Sequence, residues 1–212
     1  HHFSYTAESK KTNGHSDYLR SAITDFQQYL DLFERVSHEK AIGEASPTYI
    51  YVPGTAERIY SNFPDAKIIA ILRNPADRAY SAFMHLIRDG RETVSTFREA
   101  LALEDERIAA NWGPIYHYTK SGFYYEQLLR YYQIFPHKNI KVILYDDFVN
   151  DPFQLMKDLY TFLDVDNGFI PDMSSKPNVS GKPKYKIWQK IMDWFFAKPN
   201  PIRAISRILF PE

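Results

Sequence analysis

The 212-residue chain contains no cysteine. A disulfide framework and thiolate metal ligation are excluded, and the absence fits a reducing compartment, so a cytoplasmic location is expected. Neither charge is in excess, because 26 Lys+Arg stand against 26 Asp+Glu. Without a net basic field there is no counterion-release attraction to a duplex or to an anionic membrane, and nucleic acid is not expected as a partner. Long apolar runs are missing too. The longest, over 68–72, falls far short of the roughly 18 apolar residues a membrane span needs, so no transmembrane segment is expected, and the start has no signal-peptide pattern. Walker A and Gly-x-Gly-x-x-Gly loops do not occur. No two histidines stand at metal-ligand spacing with a carboxylate to match, and no metal is expected.

What is present is core-forming material. Apolar residues make up 44% of the chain and aromatic residues 16%, which rules out a disordered or fibrous polymer and suits one domain spanning residues 1–212. Helical and strand patterns alternate, separated by short Pro- or Gly-marked joints, as in an α/β domain with a parallel sheet flanked by helices. Apolar residues at three- and four-residue spacing predict a helix over 17–36, capped near Ser16. A short strand is expected over 41–45 and a helix over 55–63. Residues 67–72 and 140–145 are apolar runs rich in β-branched side chains, which predicts buried parallel strands. Asn74-Pro75 and Asp151-Pro152 each place a capping side chain before a proline at the first helical position, opening helices to about Arg88 and Leu163. A helix is expected over 122–135, a basic loop over 176–186, and closing helices over 184–196 and 202–209.

In an open α/β sheet, ligands bind beyond the carboxyl ends of the strands, where the next helix's first-turn N–H groups favour anions. Arg73 stands at such a strand end. Ser81 lies two helical turns beyond Asn74 and so on the side of the helix entrance, where its hydroxyl can donate to the same anion that Arg73 forks. Taken alone, an Arg and a Ser at this spacing describe an ordinary surface better than a site; the strand-turn-helix placement favours a phosphate clamp.

The stretch Leu72-Arg73-Asn74-Pro75-Ala76-Asp77-Arg78-Ala79-Tyr80-Ser81 resembles the 3′-phosphate motif of the sulfotransferases that use 3′-phosphoadenosine 5′-phosphosulfate (PAPS). Gly43-Glu44-Ala45-Ser46-Pro47-Thr48-Tyr49 is similar to the glutamate segment of the heparan-sulfate-type and bacterial members. Ser121-Gly122-Phe123-Tyr124-Tyr125-Glu126 and Tyr145-Asp146-Asp147-Phe148 fit the same family in order and spacing. The resemblance implies the nucleotide-binding α/β fold of that family and sulfuryl transfer from PAPS, leaving 3′,5′-adenosine bisphosphate (PAP). The acceptor would carry a hydroxyl or amine, with carbohydrate, lipid, polyketide and small molecule all open. It assigns Arg73 and Ser81 to the 3′-phosphate. The family's Lys-x-Gly-Thr-Thr-like phosphosulfate turn is not in the sequence, and with the first strand it is expected upstream of residue 1.

Sulfuryl transfer needs a base for the acceptor's proton. The resemblance nominates Glu44; the plainer reading is a structural carboxylate accepting bonds from Ser46, Thr48 or Tyr49. His117 is the other candidate base, since its ordinary pKa suits the task, although a histidine among aromatics is commonly a packed one. Ser180, Gly181 and Lys182 fall in the late basic loop that closes the 3′-phosphate site in the family, or form a solvated turn. Tyr124 is a candidate for stacking on adenine. Two other readings stay open: a kinase of the same fold, which calls for Mg²⁺ and a Walker A lysine, and a noncatalytic anion- or glycan-binding domain.

Overall fold

A computed structural model describes residues 2–5 and 22–172. The expected basic loop and both closing helices lie outside the described residues, as does the first part of the helix expected over 17–36. In chain order the elements are α1 (Phe26–Asp31), α2 (Thr55–Asn62), β1 (Ile68–Leu72), α3 (Pro75–Arg88), α4 (Phe97–Ala102), α5 (Glu104–Ala109), α6 (Tyr124–Tyr132), β2 (Ile140–Leu144), α7 (Tyr145–Asn150) and α8 (Pro152–Leu163). No helix among the described residues is long and apolar enough to cross a membrane.

β1 and β2 pair in parallel, with Ile68 opposite Ile140 and Leu72 opposite Leu144. Their carboxyl ends are therefore level, and Arg73 and Tyr145 leave the sheet side by side. Side chains alternate faces along a strand. Ile68, Ile140 and Val142 join a core of Phe3, Tyr29, Ala56, Ile59, Tyr131 and Phe135. Ile69 and Ile71 face the other way and are 37% and 54% exposed. The expected full burial of β1 is thus corrected to partial burial of one face, the one that joins this core.

α3 begins where local chemistry requires. Asn74 Oδ1 accepts from the N–H groups of Ala76 at 2.9 Å and Asp77 at 3.3 Å, and Pro75 has no N–H to satisfy. Ala79, Phe83 and Leu86 form its buried stripe and pack with Ala100, Tyr116 and Tyr118 into a second core. Phe83 and Leu86 each contribute about 1.5–3 kcal/mol by burial. α8 opens in the same manner, with Asp151 Oδ1 accepting from Gln154 N at 3.0 Å.

Three other expectations are corrected. The described helix within 17–36 is only α1, because Asp25 caps it by accepting from Gln28 N at 2.9 Å and only looser turns follow Asp31. Residues 41–45 form no strand, having no ladder partner among the described residues. The helix expected from Gly122 starts at Tyr124, preceded by a 3₁₀ turn over Lys120–Gly122. That turn exists because the buried Glu104 carboxylate accepts from Thr119 N and from Lys120 N, both at 2.8 Å, fixing the chain in a bend before the helix.

Candidate active site

At the carboxyl end of β1 the exposed Arg73 guanidinium lies 5.4 Å from the ring centre of Tyr145, the residue that follows β2. Cation–π contact of this kind holds the guanidinium without consuming its N–H donors. Seven residues beyond Asn74, half-buried Ser81 shares one helical stripe with Asn74 and Arg78. Its hydroxyl has no hydrogen-bond partner among the described residues. The expected contribution of the helix N-terminus is corrected: Asn74 Oδ1 occupies the Ala76 and Asp77 N–H groups, and Arg78 N donates to Asn74 O at 2.9 Å. An anion here would be held by side chains.

The Ser121–Tyr124 segment closes on the same helix. A Cβ on Gly122 would stand 2.9 Å from Pro75 Cβ, so only glycine permits this approach. Arg78 donates to the main-chain oxygen of Tyr118 from within α3. Burial disfavours its charge and lowers its pKa, while Tyr124, Glu104 and Tyr51 act in the opposite sense. Tyr124 is thereby placed beside the helix that carries Ser81. Sequence reasoning gave Arg78 no role although it lies inside the quoted motif, and it could not foresee that Tyr145 would meet Arg73, since that contact depends on strand register.

Glu44 stands on the exposed, unpaired stretch 41–45 rather than at the strand end expected for it. Its Oε1 accepts from the Tyr49 hydroxyl and from the Tyr29 hydroxyl at 3.4 Å. Burial first, then the charge and hydrogen bond of Glu44, push the Tyr29 phenol up to about 12. Burial and the Glu44 bond likewise drive Tyr49 well above the ordinary tyrosine value. Both phenols are donors throughout the neutral range. The segment after Glu44 is docked on α6: Arg130 donates to the carbonyls of Ile50 and Tyr51 at 2.8 and 2.9 Å, and Tyr131 donates to that of Tyr49 at 2.7 Å.

His117 is buried. One ring nitrogen, Nε2, is 3.0 Å from Trp112 O, which can only accept, so Nε2 carries the proton; Nδ1 then accepts from the Tyr51 hydroxyl at 2.8 Å. Desolvation by burial lowers its pKa and keeps it neutral. Both nitrogens are engaged, so in this arrangement no lone pair faces a substrate, and accepting a proton would require the Tyr51 bond to break. Glu44, with Oε2 accepting no hydrogen bond among the described residues, needs no such change. The structure thus puts Arg73 just before α3, Ser81 within it and Tyr124 beside it, and gives Glu44 its own aromatic surroundings. Ser180, Gly181 and Lys182 lie outside the described residues.

Comparison with known proteins bears on the family and the fold. The model of the sulfotransferase family matches residues 1–169. A crystal structure of a sulfotransferase from Alicyclobacillus acidocaldarius superposes with a TM-score of 0.77 at 41% identity, covering 99% of this chain and 81% of that one. The membrane-associated sulfotransferase kil1 of Dictyostelium discoideum is 22% identical over 72% of this chain and 49% of its own length. Human heparan sulfate glucosamine 3-O-sulfotransferase 5 is 25% identical over 58% of this chain and 35% of its own. The chain therefore spans about half or less of the curated relatives it matches.

Proposed function

The chain belongs to the sulfotransferase family, and from that premise we propose that it transfers a sulfuryl group from PAPS to a hydroxyl or amine acceptor. The observation that carries the reading is the exposed Arg73 guanidinium, braced by Tyr145 at the level strand ends, with the Ser81 hydroxyl, which has no partner among the described residues, on the adjoining helix. This is a site for a dianionic group held by charge-assisted bonds, and it fits the 3′-phosphate of the donor. Tyr124 is assigned to the adenine, and Ser180, Gly181 and Lys182 to closure over the phosphate. Glu44 takes the acceptor's proton through Oε2 as the acceptor oxygen or nitrogen bonds to sulfur and the bond from sulfur to the 5′-phosphate oxygen breaks, releasing PAP. The kinds of acceptor named for the relatives, glucosamine residues of heparan sulfate among them, make carbohydrate the first acceptor class to try.

The test is calorimetric titration of PAP into the intact protein and into Arg73→Ala, with ATP and Mg²⁺ as control. Hydrogen bonds to charged groups are worth about 1.5–3 kcal/mol, so the variant is expected to bind about 10- to 150-fold more weakly. Tighter binding of ATP with Mg²⁺ than of PAP, or equal PAP affinity in the variant, refutes the assignment. Glu44→Gln is expected to lower kcat by about 10²- to 10⁴-fold with PAP affinity unchanged.

A further inference from the structure

We propose that Tyr49 and Tyr29 are positioning residues for Glu44, their two hydroxyls converging on Oε1 so that Oε2 is presented to the acceptor. The inference rests on the reading of Glu44 as the base. It starts from a difficulty that the fold creates: a general base must be held within hydrogen-bonding reach of one proton, yet Glu44 is exposed on a stretch without ladder partners among the described residues. Gly43, immediately before it, has open space around it. Among the described residues no ladder holds that backbone, so the restraint on the carboxylate comes from side chains.

It comes from the aromatic core. The Tyr49 hydroxyl accepts from Phe3 N at 3.4 Å, which leaves its single proton for Glu44 Oε1. Tyr49 itself is pinned at both main-chain groups, donating from N to Ser46 O at 3.2 Å and accepting at O from Tyr131. The Tyr29 ring is stacked on His2 at 4.7 Å and meets Phe3 and Phe33 edge-on at 5.1 and 5.3 Å. Among the described residues the titratable groups facing Glu44 are thus Tyr29 from α1 and Tyr49 from the turn after it, with His2 behind Tyr29. Two donors from different parts of the chain on one oxygen define the carboxylate's plane, whereas one would leave it free to swing. Their phenol protons stay in place across neutral pH, so neither tyrosine competes with Glu44 for the acceptor's proton. The spacing of Glu44 and Tyr49, five residues in an E-x-x-x-x-Y pattern, is legible in the sequence; the approach of Tyr29 is a product of tertiary packing.

The test is a double-mutant cycle on the intact protein, assayed for PAPS turnover with glucosamine as the hydroxyl and amine probe, beside ¹³C NMR of Cζ-labelled tyrosine. Tyr49→Phe is expected to lower kcat about tenfold with the KM for PAPS unchanged, and to cost nothing further in the Glu44→Gln background, because the tyrosine acts only through the carboxylate. Tyr29→Phe should behave likewise with a smaller effect, its bond being longer. Without reference to any acceptor, the Tyr49 and Tyr29 Cζ resonances, assigned by the two Phe variants, are expected to move in Glu44→Gln. An equal loss of kcat from Tyr49→Phe in both backgrounds, or Cζ resonances indifferent to Glu44→Gln, overturns the positioning role. Unchanged turnover in Glu44→Gln alone would instead overturn the reading of Glu44 as base.

Discussion

Replacing Glu92 by Gln strands a buried guanidinium. The Arg107 and Glu92 side chains are 3% and 0% exposed, and Arg107 reaches the two carboxylate oxygens at 2.5 and 3.0 Å. The carboxylate also accepts from the Tyr118 hydroxyl and from the N–H groups of Thr93 at 2.8 Å and Val94 at 3.2 Å. Arg107 lies 4.8 Å from the Trp112 ring and 5.5 Å from Tyr116, walls that offer no replacement counter-charge. Breaking a buried pair from one side costs about 3–5 kcal/mol, because the desolvated partner remains. At about 2–4 °C per kcal/mol for a chain of this size, Tm should fall by about 6–20 °C in a calorimetric melt. The Glu92→Gln, Arg107→Met double variant removes the stranded charge, keeps a carbonyl for the Thr93 and Val94 N–H groups and turns its NH2 to the Tyr118 hydroxyl, whose oxygen can accept, so it should recover at least half of the loss. Acid behaviour gives a second reading. Burial alone would raise the Glu92 carboxyl, but the hydrogen bonds from Arg107 and Tyr118 outweigh it and hold the pKa below the ordinary carboxylate value. The native state then binds fewer protons than the unfolded one, so this stabilisation is whole above the unfolded glutamate value of about 4.3 and is lost as pH falls through the depressed native value. Glu92→Gln should flatten that acid limb. A Tm within 2 °C of the parent, or a double variant less stable than Glu92→Gln, would refute the reasoning.

Gly122→Ala drives a Cβ to 2.9 Å from Pro75 Cβ. It is expected to cost about 1–3 kcal/mol by overpacking, read from urea midpoints, and to weaken PAP binding because Tyr124 shifts from α3. Tyr145→Leu removes the ring under Arg73. A cation–π contact at an exposed site is worth about 0.5–1 kcal/mol, so PAP affinity should fall about two- to fivefold in calorimetry with Tm little altered. His117 is held neutral by burial. Its native pKa lies below the unfolded value of about 6.5, so stability should decline as pH drops from there through the lowered native value, and His117→Asn should lose this part of the slope in urea titrations between pH 7 and 5.

The parts of the fold legible in the sequence are those built by neighbours in the chain. Asn74-Pro75 and Asp151-Pro152 start α3 and α8 as expected, since a cap and its proline act within one turn, and the two β-branched runs became β1 and β2. The motif that carries the family resemblance is legible for the same reason: Arg73 and Ser81 are related by a strand end and two turns of one helix. The 17–36 and 122–135 segments were overextended because periodicity does not register Asp25 as a competing cap or the bend that Glu104 imposes across fifteen residues. Full burial of β1 was misjudged because an apolar run does not state how many faces will be covered.

What the sequence by itself determined, then, is the α/β class, the strand-turn-helix that bears Arg73 and Ser81, and the candidates for the chemistry. Tertiary structure alone decided which of them are available for it. His117 and Glu44 are both plausible bases as residue types; packing spends both nitrogens of one on Tyr51 and Trp112, and turns two phenols onto Oε1 of the other while its Oε2 accepts nothing among the described residues. That difference is one of contacts between residues up to 66 positions apart, and such contacts depend on how whole elements pack rather than on any local pattern.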